Sequence, residues 1–205
     1  MLDRFIRGFE SIPGNHAKRF DLIRAGSAEH IMSCIRDSEE TILGFPLYFL
    51  SMPGDVMRFI EALPERIGTG KRLMTLVQSG FPETAQFEPL LRYLETLPGR
   101  IGFSPGGSIA KGFGSSVETL PPRFVEADLA KLEALGESAG RGEAFDAAVV
   151  ESLAQPVRLD MKWLALFKVM RILGLLDSFT RRQLRTNRIP KRSSRAQPLR
   201  RYRES

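Results

Sequence analysis

Cysteine is nearly absent: Cys34 is the only one in 205 residues. An internal disulfide framework is thereby excluded, as is any multi-cysteine metal or iron–sulfur site. A lone cysteine also suits a reducing, cytoplasmic compartment. Histidine is scarce too, and His16 and His30 form no recognisable pair. No run approaches the ~18 uninterrupted apolar residues of a membrane span. No secretory signal opens the chain, because Met1–Ser11 alternates charged and apolar residues. Acidic excess is missing as well, but the net charge of +6 is unevenly spread. Ten Lys/Arg and one acid, Glu204, fall between Arg181 and Ser205, so the preceding residues are mildly acidic. The basicity belongs to a tail, and the high pI does not make this a nucleic-acid-binding domain.

What is present is alternation of short apolar runs with amphipathic stripes. Leu2, Phe5, Ile6 and Phe9 predict an opening helix that Ile12-Pro13-Gly14 ends. Ala17–Ile23 reads as a short strand and Ala28–Arg36 as a helix. Thr41–Phe45 is a buried-strand candidate stopping at Pro46. Pro53 then sits near the start of a helix with Val56, Phe59, Ile60 and Leu63 on one face. Leu73–Val77 is a second buried strand. Phe87, Leu90, Leu91, Leu94 and Leu97 make the clearest helical stripe, closed by Pro98-Gly99. Ile101–Phe103 reads as a strand and the glycine-rich segment from Pro105 to Ser116 as a loop. Helices are expected over Phe124–Leu135, Glu143–Gln155 and Leu159–Phe179. The pattern predicts an α/β domain over 1–122 with helices on both faces of a parallel sheet. A helical extension over 123–180 and a basic, extended tail over 181–205 complete it.

In open parallel sheets, ligands bind beyond the carboxyl ends of the strands. Two such ends are readable. One is Pro46-Leu47-Tyr48-Phe49-Leu50-Ser51-Met52-Pro53, where prolines stiffen a loop carrying aromatic rings, a hydroxyl and a thioether. The other is Ser79-Gly80-Phe81-Pro82-Glu83, where Gly80 lets the backbone approach a ligand. Apolar walls with a few polar groups suit a flat heteroaromatic ligand; the same residues could also simply cap a core.

Gly44-Phe45-Pro46-Leu47-Tyr48, Ser51-Met52-Pro53-Gly54 and Phe59-Ile60-Glu61 resemble the second flavin loop and following helix of the flavodoxin-like NAD(P)H-dependent FMN reductases and quinone reductases. Ser79 to Glu83 resembles their third loop, and Pro105-Gly106-Gly107 through Lys111-Gly112-Phe113-Gly114 their late glycine-rich segment. The resemblance implies a flavodoxin-like three-layer sheet and an FMN held by Pro46, Leu47, Tyr48, Phe49, Ser51, Met52, Ser79, Gly80 and Phe81. It implies an oxidoreductase taking hydride from NAD(P)H and passing it to a quinone or similar small-molecule acceptor. A homodimer is expected, with no catalytic side chain and no metal. The protein would supply position and electrostatics to the flavin.

The chain departs from this pattern at its start. The family's first strand and Ser/Thr/Asn-rich phosphate loop have no counterpart here, and that strand would sit mid-sheet between those near Phe20 and Ile42. Upstream residues supply it, or the two flanking strands pair directly, or the gap is filled otherwise. Glycines 106 to 114 lack the Gly-Lys-Ser/Thr ending of a nucleotide loop. Two other readings follow: a non-enzymatic binding or scaffold protein of this fold, and a peripheral membrane protein. In the latter, helix 159–179, with Trp163 and Phe167, lies on a lipid surface and the basic tail is held by anionic lipid.

Overall fold

The computed structural model describes residues 1–23, 28–48, 51–81, 84, 87–114, 122–155 and 169. The chain divides into two compact units, Met1–Val157 and Arg158–Ser205. Nearly every described residue lies in the first. The expected helix over Leu159–Phe179, apart from helical Val169, and the basic tail lie outside the described residues.

Three parallel strands form the sheet in the order β1-β2-β3: β1 (Glu40–Leu47), β2 (Arg72–Ser79) and β3 (Ser104–Lys111). Around them are α1 (Leu2–Glu10), α2 (Ala28–Asp37), α3 (Gly54–Ala62), α4 (Glu88–Arg100), α5 (Pro122–Gly140) and α6 (Ala147–Ala154). The central strand β2 is apolar on both faces, which fits a strand covered on both sides. Leu73 and Val77 point into one core with Ile31 and Ile35 of α2, Val56 and Ile60 of α3, and Leu90, Leu94 and Leu97 of α4. Met74 and Leu76 point into the other, with Phe5 of α1 and Leu129, Leu132 and Leu135 of α5. The layering is therefore α2, α3 and α4 on one face and α1 and α5 on the other.

Helices α1 and α5 meet backbone to backbone. A Cβ on Gly8 would stand 1.9 Å from the Glu133 carbonyl oxygen, and one on Gly136 would stand 2.0 Å from that of Phe5. Only glycine permits this approach. Arg4 crosses the seam to Glu126 at 2.9 Å and Glu133 at 3.1 Å.

The expected unit from Thr41 to Gly80 is present, with β1 and β2 paired in register from Glu40↔Arg72 to Leu47↔Ser79. The hydrogen bond from Arg72 N to Glu39 O at 3.0 Å sets the phase. Odd-numbered residues of β1 bond to β2, and Glu40, Ile42, Gly44 and Pro46 face the outer edge. Pro46 thus lacks its N–H on the side that makes no bond to β2, as prolines in sheets require.

Four expectations are corrected. Ala17–Ile23 is not a strand. Among the described residues β1 carries no second strand partner, and a strand needs one to satisfy its backbone. The segment bonds locally instead, Ala17 N to Glu10 Oε1 and Ile23 N to Asp21 Oδ1. Ile101–Phe103 is a turn, and the third strand lies in the supposed glycine-rich loop. At the bulge Gly106 runs so close to β2 that a Cβ there would meet the Leu73 carbonyl oxygen at 2.8 Å, and Gly107 takes φ +99 where the register shifts between Leu73 and Thr75. These are the marks of a bulged strand with close backbone approach. Helix α4 runs through Pro98 to Arg100 rather than closing at Pro98-Gly99. The helix expected from Glu143 begins only after Asp146, whose carboxylate accepts from Ala148 N at 2.8 Å and Val149 N at 3.3 Å.

Candidate functional site

The carboxyl ends of β1 and β2 lie side by side, because Leu47 is paired with Ser79. The two loops therefore leave the sheet about one strand spacing, ~4.8 Å, apart. Beyond β1, Tyr48 and Ser51 bond to each other twice, N to O at 3.0 Å and at 2.9 Å. Pro53 then caps α3 with φ −57, pre-set for helix entry. Beyond β2, the buried Ser79 side chain accepts from Phe81 N at 3.0 Å, folding the loop back on itself.

A third segment joins them. At the exit of β3, Phe113 N donates to Phe81 O and Gly114 N to Ser79 O, both at 2.7 Å. Phe113 holds φ +55, an uncommon conformation for a ring-bearing residue, to make this clasp. Gly114 lies against the Gln78 side chain, where a Cβ would meet Gln78 Oε1 at 2.7 Å. Lys111, the last residue of β3, is buried and pairs with Asp128 of α5 at 2.8 Å.

The expected ligand residues divide. Tyr48, Ser51, Gly80 and Phe81 are exposed at the carboxyl edge, Tyr48 by 62% and Phe81 by 63%. Pro46 is half-buried beside them. Leu47 and Ser79 are buried, and Met52 is half-buried against the core, so these three shape the loops from below. Phe49 lies outside the described residues. Gln78, Phe113 and Gly114 were not among the expected ligand residues; Phe113 and Gly114 stood only in the glycine-rich resemblance, where the third strand was expected to be a loop. The apolar pair Ile109-Ala110, buried on opposite faces, was the available signal that Lys111 ends a strand.

Charge at this edge is informative. The first turn of α3 carries Asp55 and that of α4 carries Glu88. The first turn of α1 carries Asp3, and its Leu2 side chain lies over Gly44 in the carboxyl half of β1. Helix N-termini attract anions, but a carboxylate already occupying the first turn opposes a second negative group. α5 has no acid in its first turn. Residues thus fit a flat ring between the Tyr48 and Phe81 loops, whereas the described N-termini of α1, α3 and α4 do not fit a phosphate.

Away from this edge, a cavity of about 440 Å3 opens between α4 and β3, lined by Leu73, Thr75, Leu94, Glu95 and Ser108. Its hydroxyls satisfy each other, Thr75 Oγ1 to Ser108 Oγ at 2.8 Å. At the amino edge, Arg72 bonds Glu40 at 2.6 Å and the carbonyls of Gly142 and Glu143, tying β1 and β2 to the end of α5. Burial pushes the Glu40 carboxyl above the usual carboxylate range, with Arg72 opposing the shift. Among the described residues there is no group of three or more potential metal ligands, and no helix is long and apolar enough to cross a membrane.

The strand order and layering are those of the last three strands of a 2-1-3-4-5 doubly wound sheet. The fold is α/β, a parallel sheet with helices on both faces, consistent with a flavodoxin-like arrangement. Solved structures similar to the chain include an NADH:FMN oxidoreductase in its apo form, 17% identical, covering 73% of this chain and 70% of that one with a TM-score of 0.45. A thermophilic tryptophan halogenase is 18% identical, over 71% and 91%, with a TM-score of 0.47. An NADPH-quinone reductase from P. pentosaceus is 15% identical, over 68% and 88%, with a TM-score of 0.48. No protein-family model and no curated protein matches the sequence. Likeness at this level carries no statement about activity.

Proposed function

We propose that the chain is a flavin-dependent oxidoreductase, moving a hydride from NAD(P)H to a quinone or similar small acceptor. The observation that supports this reading is the pairing of Leu47 with Ser79, which sets the Tyr48 and Phe81 loops side by side at the carboxyl edge. A bound flavin would supply the two-electron chemistry, so the protein needs no acid or base of its own there. Its residues would act by position. Exposed Tyr48 and Phe81 offer apolar faces for a ring, and exposed Gly80 leaves the backbone open to it. The clasp from Phe113 and Gly114 holds the second loop in shape. A homodimer in the cytoplasm, with 181–205 as a solvated basic tail, completes the proposal.

The test is NAD(P)H oxidation by the full chain with added flavin and a benzoquinone, followed at the nicotinamide band. Flavin-dependent turnover that falls at least about tenfold in Tyr48→Ala and Phe81→Ala is expected, as for lost positioning contacts. No turnover above the flavin-only rate would remove the enzymatic reading and leave a non-enzymatic binding or scaffold protein.

A further inference from the structure

The two halves of a flavin mononucleotide meet opposite receptions at the carboxyl edge. Its ring would find exposed Tyr48 and Phe81, each held by backbone hydrogen bonds. Its phosphate would carry between one and two negative charges near pH 7 and would find Asp3, Asp55 and Glu88 in the first turns of α1, α3 and α4, whereas α5, beyond β3, has no acid there. Among the described residues, the following four cations are engaged with carboxylates. Arg19 pairs with Asp3, Arg58 with Asp55, Arg92 with Glu88 at 2.5 Å, and Lys111 with Asp128 under α5. Each acid also stabilises its own helix through the macrodipole, so a phosphate would have to displace a favourable interaction rather than complete one.

Resting on the flavin reading above, we infer that the site selects the ring alone: its ligand class is an uncharged isoalloxazine such as riboflavin, bound without help from a phosphate. Flavin then enters and leaves as a freely exchanging ligand rather than a resident group, because the described first turns of α1, α3 and α4 add no charge-assisted anchor to ring contacts. Binding of the phosphorylated form is opposed by like charge, and that opposition is screened by salt.

Fluorescence titration of the full chain with lumiflavin, riboflavin and FMN tests this, at low salt and at about 0.5 M NaCl. Lumiflavin and riboflavin are expected to bind with Kd values within about threefold of one another, and FMN equally or more weakly, its affinity rising with salt. The double variant Asp55→Asn, Glu88→Gln should tighten FMN binding about threefold to tenfold and leave riboflavin unchanged, a contrast that loss of folding would not produce. FMN binding tenfold tighter than riboflavin in the unaltered chain would overturn the inference while the flavin reading stood. Failure of all three flavins to bind would overturn both.

Discussion

Gly136 and Gly99 lie in helices, and sequence alone treats them alike. A Cβ on Gly136 meets the Phe5 carbonyl oxygen at 2.0 Å, whereas one on Gly99 meets nothing within 4 Å. Gly136→Ala is therefore expected to destabilise by about 3 kcal/mol, a fall in Tm of roughly 6–12 °C. Gly99→Ala is expected to hold or raise Tm slightly, by up to ~1 kcal/mol, since alanine is the better helix former. Thermal denaturation of both variants checks this. Glu40 gives the pH prediction. Its carboxyl is raised by burial, so the folded state binds its proton more tightly than the unfolded chain does. Its ionised form is disfavoured by folding at neutral pH, and this penalty is relieved as pH falls through the raised value toward the ordinary ~4.3. Relative to Glu40→Gln, which does not titrate, the natural chain should gain Tm on acidification over that window. A constant difference between the two would remove the effect.

At the level of elements, β1, β2 and the helix α3 between them were legible because their signals are local. An apolar run of strand length ends at Ser79-Gly80, and Val56 to Leu63 has helical period; the first run was expected to stop at Pro46, but β1 continues through Pro46 to Leu47 because Pro46 turns its missing N–H to the edge away from β2. β3 was not legible. Pro105, Gly106 and Gly107 carry every mark of a loop, and only the neighbouring Leu73 backbone and the Phe145 ring explain why glycines stand in a strand. Ala17–Ile23 failed in the opposite direction, since local β propensity counts for little without a partner. The exposed half of the candidate site could be read from Tyr48, Ser51, Gly80 and Phe81, but the clasp from Phe113 and Gly114 is a non-local contact. Lys111 and Asp128 join β3 to α5 at that clasp. Asp128→Ala leaves a buried ammonium with no carboxylate, and a loss of roughly 3 kcal/mol is expected. Lys111→Met with Asp128→Leu should recover most of it, because an apolar pair carries no desolvation cost. Urea denaturation of the single and double variants measures the difference.

For the whole molecule, two openings among the described residues differ in chemistry. The carboxyl edge joins exposed rings to a strapped backbone, and the flank cavity between α4 and β3 joins apolar walls to a self-satisfied hydroxyl pair. The proposed function assigns the flavin ring to the first. Backbone amide shifts recorded while riboflavin is titrated into the isotope-labelled chain test that assignment most directly. The account predicts the largest shifts at Tyr48, Ser51, Gly80, Phe81 and Phe113, with Thr75 and Ser108 unmoved. Shifts centred on Thr75, Glu95 and Ser108, or none at the carboxyl edge at saturating riboflavin, would contradict it.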